Sequence, residues 1–127
     1  GQTSCLLSSV LERDSGAELF SSDADPQVWD VLEENLKDHK CWAQVVRGPV
    51  GKTAIKITPH AYGTRARAAD DPGPGRVVDA TPLESLNTTF DTLAIDCEGC
   101  FTTFLHEENP KLLESLTMIA VEIHNAQ

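Results

Sequence analysis

Short apolar runs alternate along this chain with segments of helical period, and that alternation limits its fold more than any other feature. Residues 17–22, 41–46, 92–96 and 118–123 read as strands. Between the first two, Val28, Trp29, Leu32 and Leu36 recur at helical spacing over residues 26–37. Asp25-Pro26 opens that helix, with Asp as N-cap and Pro at the first helical position. Between the last two strands, residues 101–116 read as a helix with a break near Asn109-Pro110. Ahead of them all, Leu6, Leu7, Val10 and Leu11 share one face of a helix over residues 4–13. Thr3 or Ser4 caps it and Gly16 ends it. Strands alternating with helices predict an α/β fold with an open, mostly parallel sheet. Ligands bind such sheets at the carboxyl ends of the strands. Three strands end there in polar residues: Asp23, Asp96 and His124-Asn125.

The middle of the chain departs from this rhythm. Gly48-Pro49-Val50-Gly51 turns the chain, and residues 53–57 alternate as an edge strand does. Residues 58–76, TPHAYGTRARAADDPGPGR, are rich in Gly, Pro, Ala and charge, and read as a surface loop. A short strand over 77–79 and one helical turn over 82–86 follow.

Composition narrows the function. The chain of 127 residues is 40% apolar, enough for one core, so a single domain is expected. Its net charge is −10. That balance opposes nucleic acid as a partner, because affinity for phosphates comes from Lys and Arg displacing counterions. No stretch approaches the ~18 consecutive apolar residues of a membrane helix, and the residues from Gly1 onward lack the pattern of a signal peptide. Cys5, Cys41 and Cys97 lie in or beside apolar runs, as buried free thiols do, which favours a reducing compartment. Cys97 and Cys100 have Cys-x-x-Cys spacing, but no second pair with matching spacing exists for zinc. They read as packing thiols.

Five segments, in order, resemble the FkbM family of S-adenosylmethionine-dependent methyltransferases. FDTLAIDCEGCFTTFL, residues 90–105, resembles the family signature, with its Asp-x-Glu-Gly core intact from Asp96 to Gly99. ATPLESL (80–86) and AVEIHN (120–125) resemble the segments on either side of that signature. FSSDADPQVWDVLEENL (20–36) resembles the family's second strand and helix, with Asp23 where the family carries Glu. GQTSCLL resembles the end of the family's glycine loop, so Gly1 is its last glycine. Two positions depart from the pattern: Ala94 stands where Lys is usual, and an acid is missing near Arg47-Gly48.

The resemblance implies the Rossmann-like sheet of class I methyltransferases and methyl transfer from S-adenosylmethionine to an oxygen of a small molecule or sugar. Gly1, Gln2 and Thr3 would lie against the cofactor, and Asp23, beside Ala24, would accept hydrogen bonds from its ribose hydroxyls. Read without the family, Asp23 solvates a loop beside Asp25. Asp96 would act as general base or orient the acceptor; its plainer role is to cap the following helix. Glu98 would assist, or simply favour the helix dipole. His124 would contact substrate or act in catalysis, in preference to holding a metal with Asp96 and Asn125; its plainer role is that of a polar residue ending a strand. His39, His60 and His106 read as surface histidines, and Trp29 and Trp42 as core or sheet-facing residues. Two classes of function stand: an active small-molecule or sugar O-methyltransferase, and a non-catalytic module of that fold serving as a structural or interaction part of a larger assembly. The resemblance also implies a sheet whose first strand lies upstream of Gly1. Upstream residues or a partner chain are then expected to fill the slot between the strands at 17–22 and 92–96, unless those two strands close on each other.

Overall fold

The computed structural model describes residues 2–11, 16–60, 63–96, 104, 106 and 110–122. The chain divides into two compact units, Gly1–Gly48 and Pro49–Gln127.

The first unit is a strand–helix–strand arrangement preceded by a helix. Helix α1 spans Gln2–Val10, strand β1 Phe20–Asp23, helix α2 Trp29–Asp38 and strand β2 Gln44–Arg47. β1 and β2 pair in parallel, from Phe20 opposite Gln44 to Asp23 opposite Arg47. A parallel pair needs a crossover, and α2 supplies it. Leu32 and Leu36, one turn apart, are buried as the apolar stripe requires, together with Val46 of β2. Asp25 marks the entry to α2 differently from expectation. Its Oδ1 accepts from the Gln27 N–H at 2.9 Å, building a turn over residues 26–28, and the helix proper begins at Trp29.

α2 ends in a hydrogen-bonding pattern that aims the next segment. The Lys40 N–H donates to the Lys37 carbonyl and the Cys41 N–H to the Leu36 carbonyl, while Lys40 sits at φ 54°. This is the Schellman arrangement, in which a left-handed residue reverses the chain and satisfies the last carbonyls. Cys41 emerges from it directly into a bond with Cys5, at a Cα–Cα distance of 5.0 Å. The bridge corrects the expectation of free thiols at these two positions and removes the ground for preferring a reducing compartment. Cys97 and Cys100 lie outside the described residues.

The bridge also sets the rotation of α1. Thr3 and Ser4 lie inside the helix and do not cap it. The Ser4 hydroxyl instead meets that of Ser21 at 2.8 Å, and the buried Ser8 Oγ accepts from the Trp42 N–H at 2.9 Å. The side toward the strands is therefore carried by Ser4, Cys5 and Ser8. Leu6 and Val10, expected to face a core, are 65% and 72% exposed.

The second unit holds two sheets. Strands β3 (Ile55–His60), β4 (Gly63–Ala68) and β5 (Arg76–Val78) form an antiparallel sheet in the order β4-β3-β5. Most of the stretch expected as a loop is thus strand. Alternation is present there, but Thr, Ala and Arg carry it where apolar residues usually do, so it does not read as a strand pattern. The surface part of the expectation stands, since no residue of β4 is buried. Ile57 and Val78 are buried on one face of the sheet. Gly75 allows the connection before β5 to close over β3, for a Cβ there would lie 2.6 Å from Lys56 Cγ. A one-turn 3-10 helix, Leu83–Leu86, precedes strand β6, Thr92–Ile95. Phe104 and His106 are helical. Helix α3 spans Pro110–Ser115; Asn109, half of the expected break, lies outside the described residues. Strand β7, Met118–Val121, pairs with β6 in parallel, again across a helical crossover.

The fold class is α/β with parallel strand–helix–strand units. The expected single sheet is not formed among the described residues. Among the described residues β1 pairs with β2 and β6 with β7. Local pattern identifies a strand, but partner choice is a long-range property that four-residue strands carry weakly in their own sequence.

Two stability measurements check this account. Replacing both Cys5 and Cys41 by Ser removes a link across 36 residues and lowers the unfolding free energy of the first unit by about 2–4 kcal/mol. Trp29 and Trp42 both lie in that unit, so urea unfolding followed by tryptophan fluorescence reads the change, and an unaltered midpoint refutes it. Lys40→Gly relieves the left-handed backbone and raises stability in the same assay by about 0.5–1 kcal/mol.

Candidate functional site

The carboxyl ends of the parallel strands hold the two acids singled out above. Asp23 closes β1 and Asp96 follows β6, one in each unit. Gly1, Glu98 and His124 lie outside the described residues.

Asp23 is held by its backbone from two directions. Its carbonyl accepts from the Trp29 indole Nε1–H at 2.8 Å and from the Gly48 N–H at 3.2 Å. Its carboxylate Oδ1 accepts from the Asp25 N–H at 2.8 Å, an Asx turn that fixes the side-chain rotamer. Oδ2 has no hydrogen bond among the described residues, and the residue is exposed. A carboxylate oriented through one oxygen and open at the other suits a pair of vicinal hydroxyls. Ala24 is half-buried in the bend after Asp23. Gln2 and Thr3 are exposed in the first turn of α1, which the Ser4–Ser21 contact ties to β1.

Trp29 therefore does more than fill a core: its indole N–H positions Asp23. The signal was the six-residue spacing from Asp23, across the turn that Asp25-Pro26 announces, but spacing alone does not tell a hydrogen-bonding indole from a packing one.

The end of β2 carries a cation, Arg47. Arg47 grips α2 as a fork, with Nε to Glu33 Oε1 at 2.9 Å and Nη2 to Glu33 Oε2 at 3.0 Å and to Asp30 Oδ1 at 2.8 Å. The hydrogen bond from Arg47 holds the Glu33 carboxyl below the usual glutamate range, and the Arg47 charge adds to it. The pair is solvent-exposed and mainly orients the strand end.

Asp96 is exposed at the end of β6. The Ile95 carbonyl before it accepts from the Glu122 N–H at 2.9 Å, extending the parallel ladder past β7. Among the described residues, no three His, Cys, Asp or Glu side chains gather as a metal site. No helix among them is long and apolar enough to cross a membrane.

The Arg47 fork makes a pH-dependent prediction. The folded-state pKa of Glu33 is lowered, so the pair's contribution is present above the usual glutamate range and is lost as acid protonates Glu33. Carbon-detected NMR titration should place the Glu33 midpoint below those of ordinary glutamates, and Arg47→Gln should return it upward. Coincident midpoints in the two proteins remove the assignment.

No family model matches this chain, and neither does any curated protein or solved structure at a significant level.

Proposed function

We propose that the protein is an S-adenosylmethionine-dependent methyltransferase of the FkbM type, with a Rossmann-like fold, acting on an oxygen of a small molecule or sugar. The reading is carried by the place of the signature. Asp96 opens the Asp-x-Glu-Gly core directly after a parallel strand, where an open α/β sheet presents its ligands. Asp23 at the end of another parallel strand supports it, with a carboxylate already oriented.

The bound cofactor supplies an electrophilic methyl group on a sulfonium centre. Asp23 would bind its ribose, while the Asp25 N–H and the Trp29 indole keep the carboxylate and its backbone in place. Gln2, Thr3 and Ala24 would border the cofactor, as would Gly1. Asp96 takes the proton of the acceptor hydroxyl, or aligns that hydroxyl by a hydrogen bond; Glu98 and His124 act on the same acceptor.

Calorimetry with S-adenosylmethionine tests the proposal. The protein should bind, and Asp23→Ala should bind about tenfold more weakly, the expected loss of one hydrogen bond to a charged group. Asp96→Asn should keep the affinity and lower turnover on a panel of sugar and small-molecule hydroxyl acceptors by about a hundredfold. A silent titration of the folded wild-type protein overturns the enzyme reading and leaves the non-catalytic module.

A further inference from the structure

The chain's longest run without Asp or Glu covers residues 39–69. Between Lys52 and Asp70 there is no Asp or Glu, and Lys56, Arg65 and Arg67 lie within that stretch. The antiparallel sheet sorts these residues by face. Register sets Lys56 opposite Arg67 and Thr58 opposite Arg65, so all four share one face. Ile55 and Ile57, opposite Ala68 and Ala66, share the other, the face on which Ile57 is buried. Val77, 51% exposed, pairs with Lys56 and extends the cationic face.

A like-charged pair directly across two strands is unfavourable. The pair Lys56–Arg67 escapes this in part because Lys56 Nζ turns to the main-chain oxygen of Asp71. Arg65 and Arg67 remain exposed and enter no ion pair among the described residues. Two residues apart on a strand, they stand about 6.8 Å from each other, the repeat of side chains on one face of a neighbouring strand.

β4 is also an edge. Its six residues pair with β3 in unbroken register, without proline or bulge, and no strand lies on its other side among the described residues. Thr64, Ala66 and Ala68 alternate with the arginines and leave the backbone approachable. An edge of this kind offers a row of N–H and C=O groups to an incoming strand.

We propose that the outer edge of β4 takes an extended acidic peptide as an additional strand, with Arg65 and Arg67 holding its alternate acidic side chains. Main-chain hydrogen bonds supply affinity and the two guanidinium groups supply selection. A short strand meets only the acid-free sheet. Nucleic acid or an anionic membrane must approach more of a chain whose net charge is −10. The edge, the register and the charge favour the peptide over either of those polyanions.

The full chain is titrated with a short fluorescent peptide of alternating Glu and Val, the same peptide with Lys for Glu, an oligo-dT strand, and phosphatidylserine vesicles. Saturable binding of the Glu peptide alone is expected, with shifts confined to the amide resonances of β4 and its neighbours. Arg65→Glu with Arg67→Glu should weaken it at least about tenfold, the loss of charge-assisted hydrogen bonds. Arg65→Gln with Arg67→Gln, which removes charge without reversing it, should weaken it in the same direction and decides the matter if the first variant does not fold. No binding of the Glu peptide, binding indifferent to both double variants, or arginine-dependent binding of oligo-dT or vesicles in its place overturns the proposal.

Discussion

The bond between Cys5 and Cys41 is the constraint from which the first unit is built. Two parallel four-residue strands and one crossover helix have little apolar area to hold them. Leu32, Leu36 and Val46 are the buried apolar side chains of that unit among the described residues. Bridging α1 to the start of β2 limits the unfolded chain and lets two serines act as the bridge's companions. Ser4 reaches Ser21 on β1, and Ser8 reaches the backbone at Trp42. These polar contacts are short-ranged and directional, so they are available only once the helix has been brought to the strands in one rotation. The exposed Leu6 and Val10 are the counterpart of that choice.

The same hierarchy places the candidate site. The Schellman end of α2 directs Cys41 toward its partner and starts β2, and β2 in turn holds β1 in register up to Asp23. At that point α2 reaches across the strand ends twice, with the Trp29 indole on the Asp23 carbonyl and with Asp30 and Glu33 on Arg47. The first bond is neutral and the second is ionic and exposed, so salt weakens the grip on β2 before it weakens that on Asp23. A carboxylate with one oxygen committed and the other open is what such a scaffold delivers.

In the second unit, one strand pattern serves two purposes. Period-two alternation along β3 and β4 puts Ile55 and Ile57 on one face and Lys56, Arg65 and Arg67 on the other. Acid-free composition over that stretch makes the latter face an island of positive charge on a negative chain. Arginines on an edge strand commonly prevent pairing between copies; spaced at the side-chain repeat, they also choose which strand is admitted.

By itself, the sequence determined the local states: a helix where Leu32 and Leu36 recur, strands within 92–96 and 118–123, and acids at the ends of β1 and β6. These follow from periodicity and from the backbone restrictions of proline and glycine, which act within a few residues. It also contained Asp23 and Asp96 as candidates, since strand ends can be located without knowing the sheet. Only the tertiary structure decided that Cys5 meets Cys41, that Trp29 supports Asp23, and that residues 63–68 form an edge strand among the described residues. Each of these is a pairing between residues whose identities fit several partners equally well. A thiol beside an apolar run suits a core or a bridge, and an Arg-Ala alternation suits a loop or an edge. The choice rests on which surfaces the folded chain brings into contact, where directional bonds and desolvation separate alternatives that local pattern leaves equal.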